Sequence, residues 1–101
     1  MADTLKGRVI DLDLGPFVPR LSFLSDREAR LQAQIGPVTV DEVVALDVAP
    51  IAPDVYVVSW TEKSGNFIVQ VQDHAGGVVH NRARLADGQL FSAQGTLHRV
   101  G

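Results

Sequence analysis

The chain has 101 residues, 46% of them hydrophobic and 21% charged, with a formal net charge of -3 and no cysteine. A length of this order sets one domain, residues 1–101, around a single core. The charge forms no block of like sign, which argues against nucleic acid and anionic membrane surfaces as partners. The missing thiols exclude disulfide scaffolds, thiolate catalysis and thiolate metal sites.

No apolar run approaches the roughly 20 residues of a membrane helix. The N-terminus shows no basic stretch followed by an apolar one, so a cytoplasmic protein is expected. Period-two alternation dominates from the start. Residues 7–12 (GRVIDL), 20–24 (RLSFL), 29–35 (ARLQAQI) and 38–48 (VTVDEVVALDV) each read as a strand, separated by residues 16–19, 25–28 and Gly36-Pro37. Ser25 and Glu28 fit a helical capping box. The alternation of Leu31, Ala33 and Ile35 with Arg30, Gln32 and Gln34 immediately afterwards favours a hairpin turn instead. Pro50 and Pro53 then break the run, because neither can donate to a sheet ladder.

The strongest signal follows. Residues 55–62 (VYVVSWTE) and 67–74 (FIVQVQDH) are dense in β-branched and aromatic side chains and flank a four-residue connection, Lys63 to Asn66. Pairing across it sets Glu62 opposite Phe67, Trp60 opposite Val69, Val58 opposite Val71 and Tyr56 opposite Asp73. A turn at Ala75-Gly76-Gly77 leads to residues 78–85 (VVHNRARL), where Val71 is expected opposite Asn81. Asp87-Gly88 leads to residues 89–100 (QLFSAQGTLHRV), in which Gly95 marks a bulge or a close approach. The facing of this last strand is not set by its pattern.

About eight antiparallel strands with short connections and no long helix point to an all-β, up-and-down barrel, which also removes exposed sheet edges. Eight strands enclose a lumen that side chains fill or that holds one small ligand. The run VYVVSWTEKSGNFIVQVQDHAGGVVHN, with ADGQLFSAQGTLHRV behind it, resembles the MoaF-like group, best over residues 55–100 through its SWTE, VQDH and GTL pieces and collinearly over 7–48. The resemblance implies a calycin-like, lipocalin-type barrel. It implies no group-wide reaction.

The predicted inner face combines a large apolar surface with a few polar groups. Tyr56, Val58, Trp60, Phe67, Val69 and Val71 are its expected walls, and Glu62 and Asn81 its polar contacts to a small apolar or aromatic ligand, with no metal or cofactor. Packing in the core competes as a reading of Trp60, and a solvated position at the strand end competes as a reading of Glu62. Asn81, set among apolar neighbours, has to bond backbone, water or ligand. Glu62 and Asp73 are the candidate general acids or bases of a cofactor-free isomerase, cyclase or hydrolase. They lie too far apart along the hairpin for a glycosidase pair, which needs its carboxyl groups within about 10 Å. A third reading is a structural module whose outward Ile68 and Val78 are buried in a homodimer. His74, His80 and His98 share no ligand spacing and are expected at the surface.

Overall fold

The computed structural model describes residues 5–101, so the reading of the extreme N-terminus concerns residues outside this range. Nine strands form one antiparallel sheet: β1 (Val9–Asp13), β2 (Arg20–Phe23), β3 (Glu28–Ile35), β4 (Val38–Ala45), β5 (Asp47–Ala52), β6 (Val55–Thr61), β7 (Phe67–Asp73), β8 (Val78–Arg84) and β9 (Leu90–Arg99). Their order is β4-β3-β2-β1-β9-β8-β7-β6-β5. The two edge strands, β4 and β5, are consecutive in the chain and separated by Leu46 alone. One bent length of backbone therefore pairs with β3 through its first half and with β6 through its second. That corner curls the sheet into a barrel, and it explains why the sequence shows eight segments where the structure has nine strands. The seam between β4 and β6 is bridged where Lys63 N donates to Glu42 Oε2 at 2.9 Å.

Pro50 does not end the strand. It lies within β5 opposite Tyr56, followed by a bulge before Ala52. An edge strand tolerates the missing N–H. Asp54 makes the turn into β6 with a positive φ of 60°, a conformation that aspartate adopts more readily than most residues. The segment at residues 25–28 is a turn, as the alternation predicts, with Leu24 N donating to Glu28 O.

Alternation inside each strand decides what is enclosed. Ile10, Leu12, Leu21, Phe23, Ala29, Leu31, Val44, Val58, Val79 and Leu97 all point inward and are buried. The last strand faces the same way through Phe91, Ala93 and Leu97. Gly95 sits where β9 crosses β1: a Cβ there would overlap the Asp13 carbonyl oxygen, so this position requires glycine.

The register of β7 differs from the sequence-based expectation by one residue. Trp60 pairs with Ile68, Val58 with Gln70 and Tyr56 with Gln72. The turn is correspondingly one residue longer than the pattern suggests, with five residues between Thr61 and its partner Phe67. Because side chains alternate, a slip of one residue exchanges the two faces of the strand. Ile68, Gln70 and Gln72 are inside, while Phe67 is exposed and Val69, Val71 and Asp73 are half-buried on the outer face. The β7–β8 register is also displaced by one, with Gln70 opposite Asn81. The two displacements cancel, and Asn81 points inward as expected.

Candidate functional site

The loops divide between the two ends of the barrel. At one end lie residues 14–19, Gly36-Pro37, 62–66 and 85–89; at the other lie residues 24–27, Pro53-Asp54 and 74–77. Large side chains fill the interior towards the second end, with Leu5, Ile10, Leu21 and Val58 at most 1% exposed, and a more polar pocket of about 680 Å³ lies there between Asp26-Arg27 and β5. The first end is hollow. A cavity of about 350 Å³ opens there, walled mostly by apolar side chains that include Leu14, Phe17, Leu31, Trp60, Ile68 and Phe91. Two further wall positions, Ala33 and Ala83, carry methyl groups where a larger side chain would fill the space. The polar wall residues are Glu62, Asn66, Gln70 and Asn81.

Glu62 follows the end of β6 at the mouth. Its Oε2 accepts from Trp60 Nε1 at 3.2 Å, and its Oε1 accepts from Asn66 Nδ2 at 3.4 Å. Burial raises its pKa above the ordinary carboxylate value, and the Glu42 carboxylate pushes the same way, while these two hydrogen bonds pull it back. Asn66 also ties the mouth together, because its Oδ1 accepts from Ala86 N of the neighbouring turn at 2.9 Å. The indole of Trp60 is thus satisfied while its ring forms cavity wall.

The inner face of β7 carries a continuous polar chain. Gln70 and Gln72 are 2% and 0% exposed, and Asn81 on β8 is 3% exposed. Gln70 Nε2 donates to Asn81 Oδ1 at 2.9 Å, Gln72 Nε2 donates to Gln70 Oε1 at 2.8 Å, and His74 Nε2 lies 2.9 Å from Gln72 Oε1. Beyond it Arg8 Nη1 lies 3.1 Å from His74 Nδ1 and donates to Asp54 Oδ1 at 2.8 Å. A guanidinium has hydrogens to give and no lone pair to receive one, so Nδ1 is the accepting nitrogen and Nε2 carries the proton. Every donor in the chain then points from Arg8 towards Asn81.

His74 is therefore buried and structural, which corrects the expectation of a surface histidine; His80 and His98 are exposed. The imidazole packs against the edge of Tyr56, with ring centroids 5.3 Å apart. Its pKa is lowered to about 4, first by burial and then by the Arg8 guanidinium.

Three of the predicted ligand contacts, Trp60, Glu62 and Asn81, meet at the cavity wall. Tyr56 and Val58 are inward but lie deeper, in the packed half. Phe67, Val69 and Val71 are outside, for the register reason given above. Asp73 faces outward and holds its own turn, its Oδ1 accepting from Gly76 N at 2.7 Å. Ile68, Gln70, Leu85 and Phe91 were not anticipated as wall. The available signal was the run Gln70, Gln72, His74 at alternate positions, a polar stripe that has a strand's period. Among the described residues no three His, Asp or Glu side chains converge to hold a metal ion.

Known proteins agree with this architecture. A crystal structure from Burkholderia vietnamiensis, described as a "putative beta-lactamase", superposes with a TM-score of 0.88 at 21% sequence identity, covering 95% of each chain. At that identity the likeness is one of fold. A search of curated proteins finds no match. The MoaF-like family model matches residues 6–98, nearly the whole chain, and the protein belongs to the MoaF-like family.

Proposed function

We propose that this protein binds a small, mostly apolar or aromatic organic molecule in the hollow half of its barrel, with Glu62 and Asn81 as polar contacts. The observation that carries the reading is the combination of an open cavity of about 350 Å³, walled by apolar side chains, with a few polar groups at its mouth and floor. Taking about 30 Å³ per water molecule as a guide, the space suits roughly a dozen non-hydrogen atoms. Trp60, the one tryptophan of the chain, forms part of the wall and reports on occupancy. Native mass spectrometry after incubation with metabolite mixtures, read together with tryptophan emission, tests the proposal. A retained small molecule that shifts the emission is expected; no retained species and an unchanged spectrum would overturn it.

A second reading is favoured by one observation, the raised pKa of Glu62 beside an apolar cavity. A carboxylic acid in that position suits proton transfer to or from a bound substrate, as in a cofactor-free isomerase, cyclase or hydrolase. Asp73 has no part in it, because its side chain is engaged outside the cavity. The description of the Burkholderia protein does not extend the reading to β-lactam hydrolysis. Serine β-lactamases use a serine with a neighbouring lysine, and neither residue type belongs to this wall.

A further inference from the structure

Asn81 sits at the floor of the cavity with its Oδ1 occupied by Gln70 Nε2. Its own Nδ2 hydrogens have no partner among the described residues, and this amide nitrogen is not sealed from the cavity. That orientation is not free. Turning the Asn81 amide over would set its NH₂ against the NH₂ of Gln70, and turning Gln70 would do the same against Gln72. The sequence of forced choices ends at Arg8, which can only donate. A cation near the packed end of the barrel thus decides, four hydrogen bonds away, that the cavity floor presents a donor.

We infer that the ligand carries a neutral hydrogen-bond acceptor, such as a carbonyl, at its inner end, received by Asn81 Nδ2, with Arg8 fixing that polarity through His74, Gln72 and Gln70. The inference rests on the binding reading above and names the class of molecule bound. An analogue that lacks the acceptor would cover this donor and leave it without a partner, which makes the contact a source of selectivity as well as affinity. At the mouth, Glu62 has lone pairs beyond those used by Trp60 and Asn66, so a hydroxyl or amine at the outer end complements it. A para-disubstituted benzene with a ketone at one end and a hydroxyl at the other has this pattern.

The test uses a matched pair of probes, 4-hydroxyacetophenone and 4-ethylphenol, which differ in the carbonyl. Affinities are read by tryptophan emission and by ligand-observed NMR on the wild type, Asn81→Asp and Arg8→Leu. The aspartate keeps the acceptor for Gln70 and removes the donor. In the wild type the ketone is expected to bind about five- to tenfold more tightly than the ethyl compound. Asn81→Asp should lose that preference while still binding 4-ethylphenol. Arg8→Leu should weaken the preference, and the ¹⁵N shifts of the His74 ring should move away from the Nε2-protonated pattern expected in the wild type, a change that general loosening of the fold would not single out. Equal binding of the two probes by the wild type overturns the donor assignment and leaves the cavity reading standing. An unchanged preference in Arg8→Leu overturns the role of Arg8. Failure of both probes to bind at millimolar concentration overturns the cavity reading itself.

Discussion

Acid should weaken this protein through His74. In the folded chain its pKa is lowered to about 4, against 6.5 for a free side chain. Arg8 and Arg99 add to the effect of burial, while Asp54 and Asp73 oppose it. Between those two values the unfolded chain binds a proton that the folded chain does not, so stability is complete above about pH 6.5 and falls as the pH drops towards 4. At about 1.4 kcal/mol per pH unit the gap sets a ceiling of about 3 kcal/mol, and partial solvent screening at that end of the barrel brings the expected loss to about 1–2 kcal/mol. Asp54, held low by Arg8, contributes stability that is lost only further into acid, as the pH falls through its depressed value. Glu62 works in the other direction, since its raised pKa means that the folded chain holds its proton longer as pH rises. A His74→Gln variant isolates the histidine. Urea unfolding of both proteins between about pH 4.5 and 7.5 should show a wild-type stability that declines more steeply into acid than the variant's by about 1–2 kcal/mol. In parallel, the NMR resonances of His74 should stay constant down to about pH 5. A His74 that titrates near 6.5, or two stability curves that stay parallel, would refute the account of a neutral imidazole built into the polar chain.

Gln70→Leu should cost about 2–3 kcal/mol in urea unfolding, because Gln72 Nε2 and Asn81 Oδ1 both lose their partner and the added apolar burial offsets only part of that; an unchanged midpoint would show that the inner amides do not depend on one another. Gly95→Ala should destabilise by more than about 3 kcal/mol or prevent soluble expression, since the new methyl group meets the Asp13 carbonyl oxygen and β1 has to move away from β9. A thermal midpoint within a few degrees of the wild type would contradict that close approach.

The architecture was legible because alternation over residues 55–62, 67–74 and 78–85 leaves few options other than antiparallel hairpins. The bend at Leu46 was not, since the residues on either side of it, Ala45 and Asp47, carry no glycine or proline to mark a change of partner. The facing of β7 failed for a physical reason. Phe67, Val69 and Val71 are the more apolar set, and burial alone would turn them inward. What decides the matter is that Gln70 and Gln72 find partners inside, in Asn81 on the next strand, in each other and in His74, which Arg8 from the far end of the chain meets in turn. Hydrogen bonding on that scale is a tertiary property that strand periodicity does not report. The position of Glu62 and Trp60 at the cavity wall was legible because both signals agreed, their spacing of two residues placing them on one face and the strand end placing them at an opening.

The polar chain and the cavity belong to one design. At about 24 cal/mol per Å³, a sealed, dry void of about 350 Å³ would cost on the order of 8 kcal/mol, comparable with the whole stability of a domain this size. Leucines at Ala33 and Ala83 would remove much of it, as Leu21 and Val58 do in the other half of the barrel. The chain instead keeps methyl groups at those positions and lines the floor with Gln70 and Asn81, amides tied to one another and to Gln72 by hydrogen bonds. An open mouth lets water fill the hollow in the absence of a ligand, and a molecule that displaces this water from apolar walls gains the free energy that a filled core would have supplied. On the binding proposed above, the packed half, with its ion pair between Arg8 and Asp54, would anchor the donors that orient such a molecule.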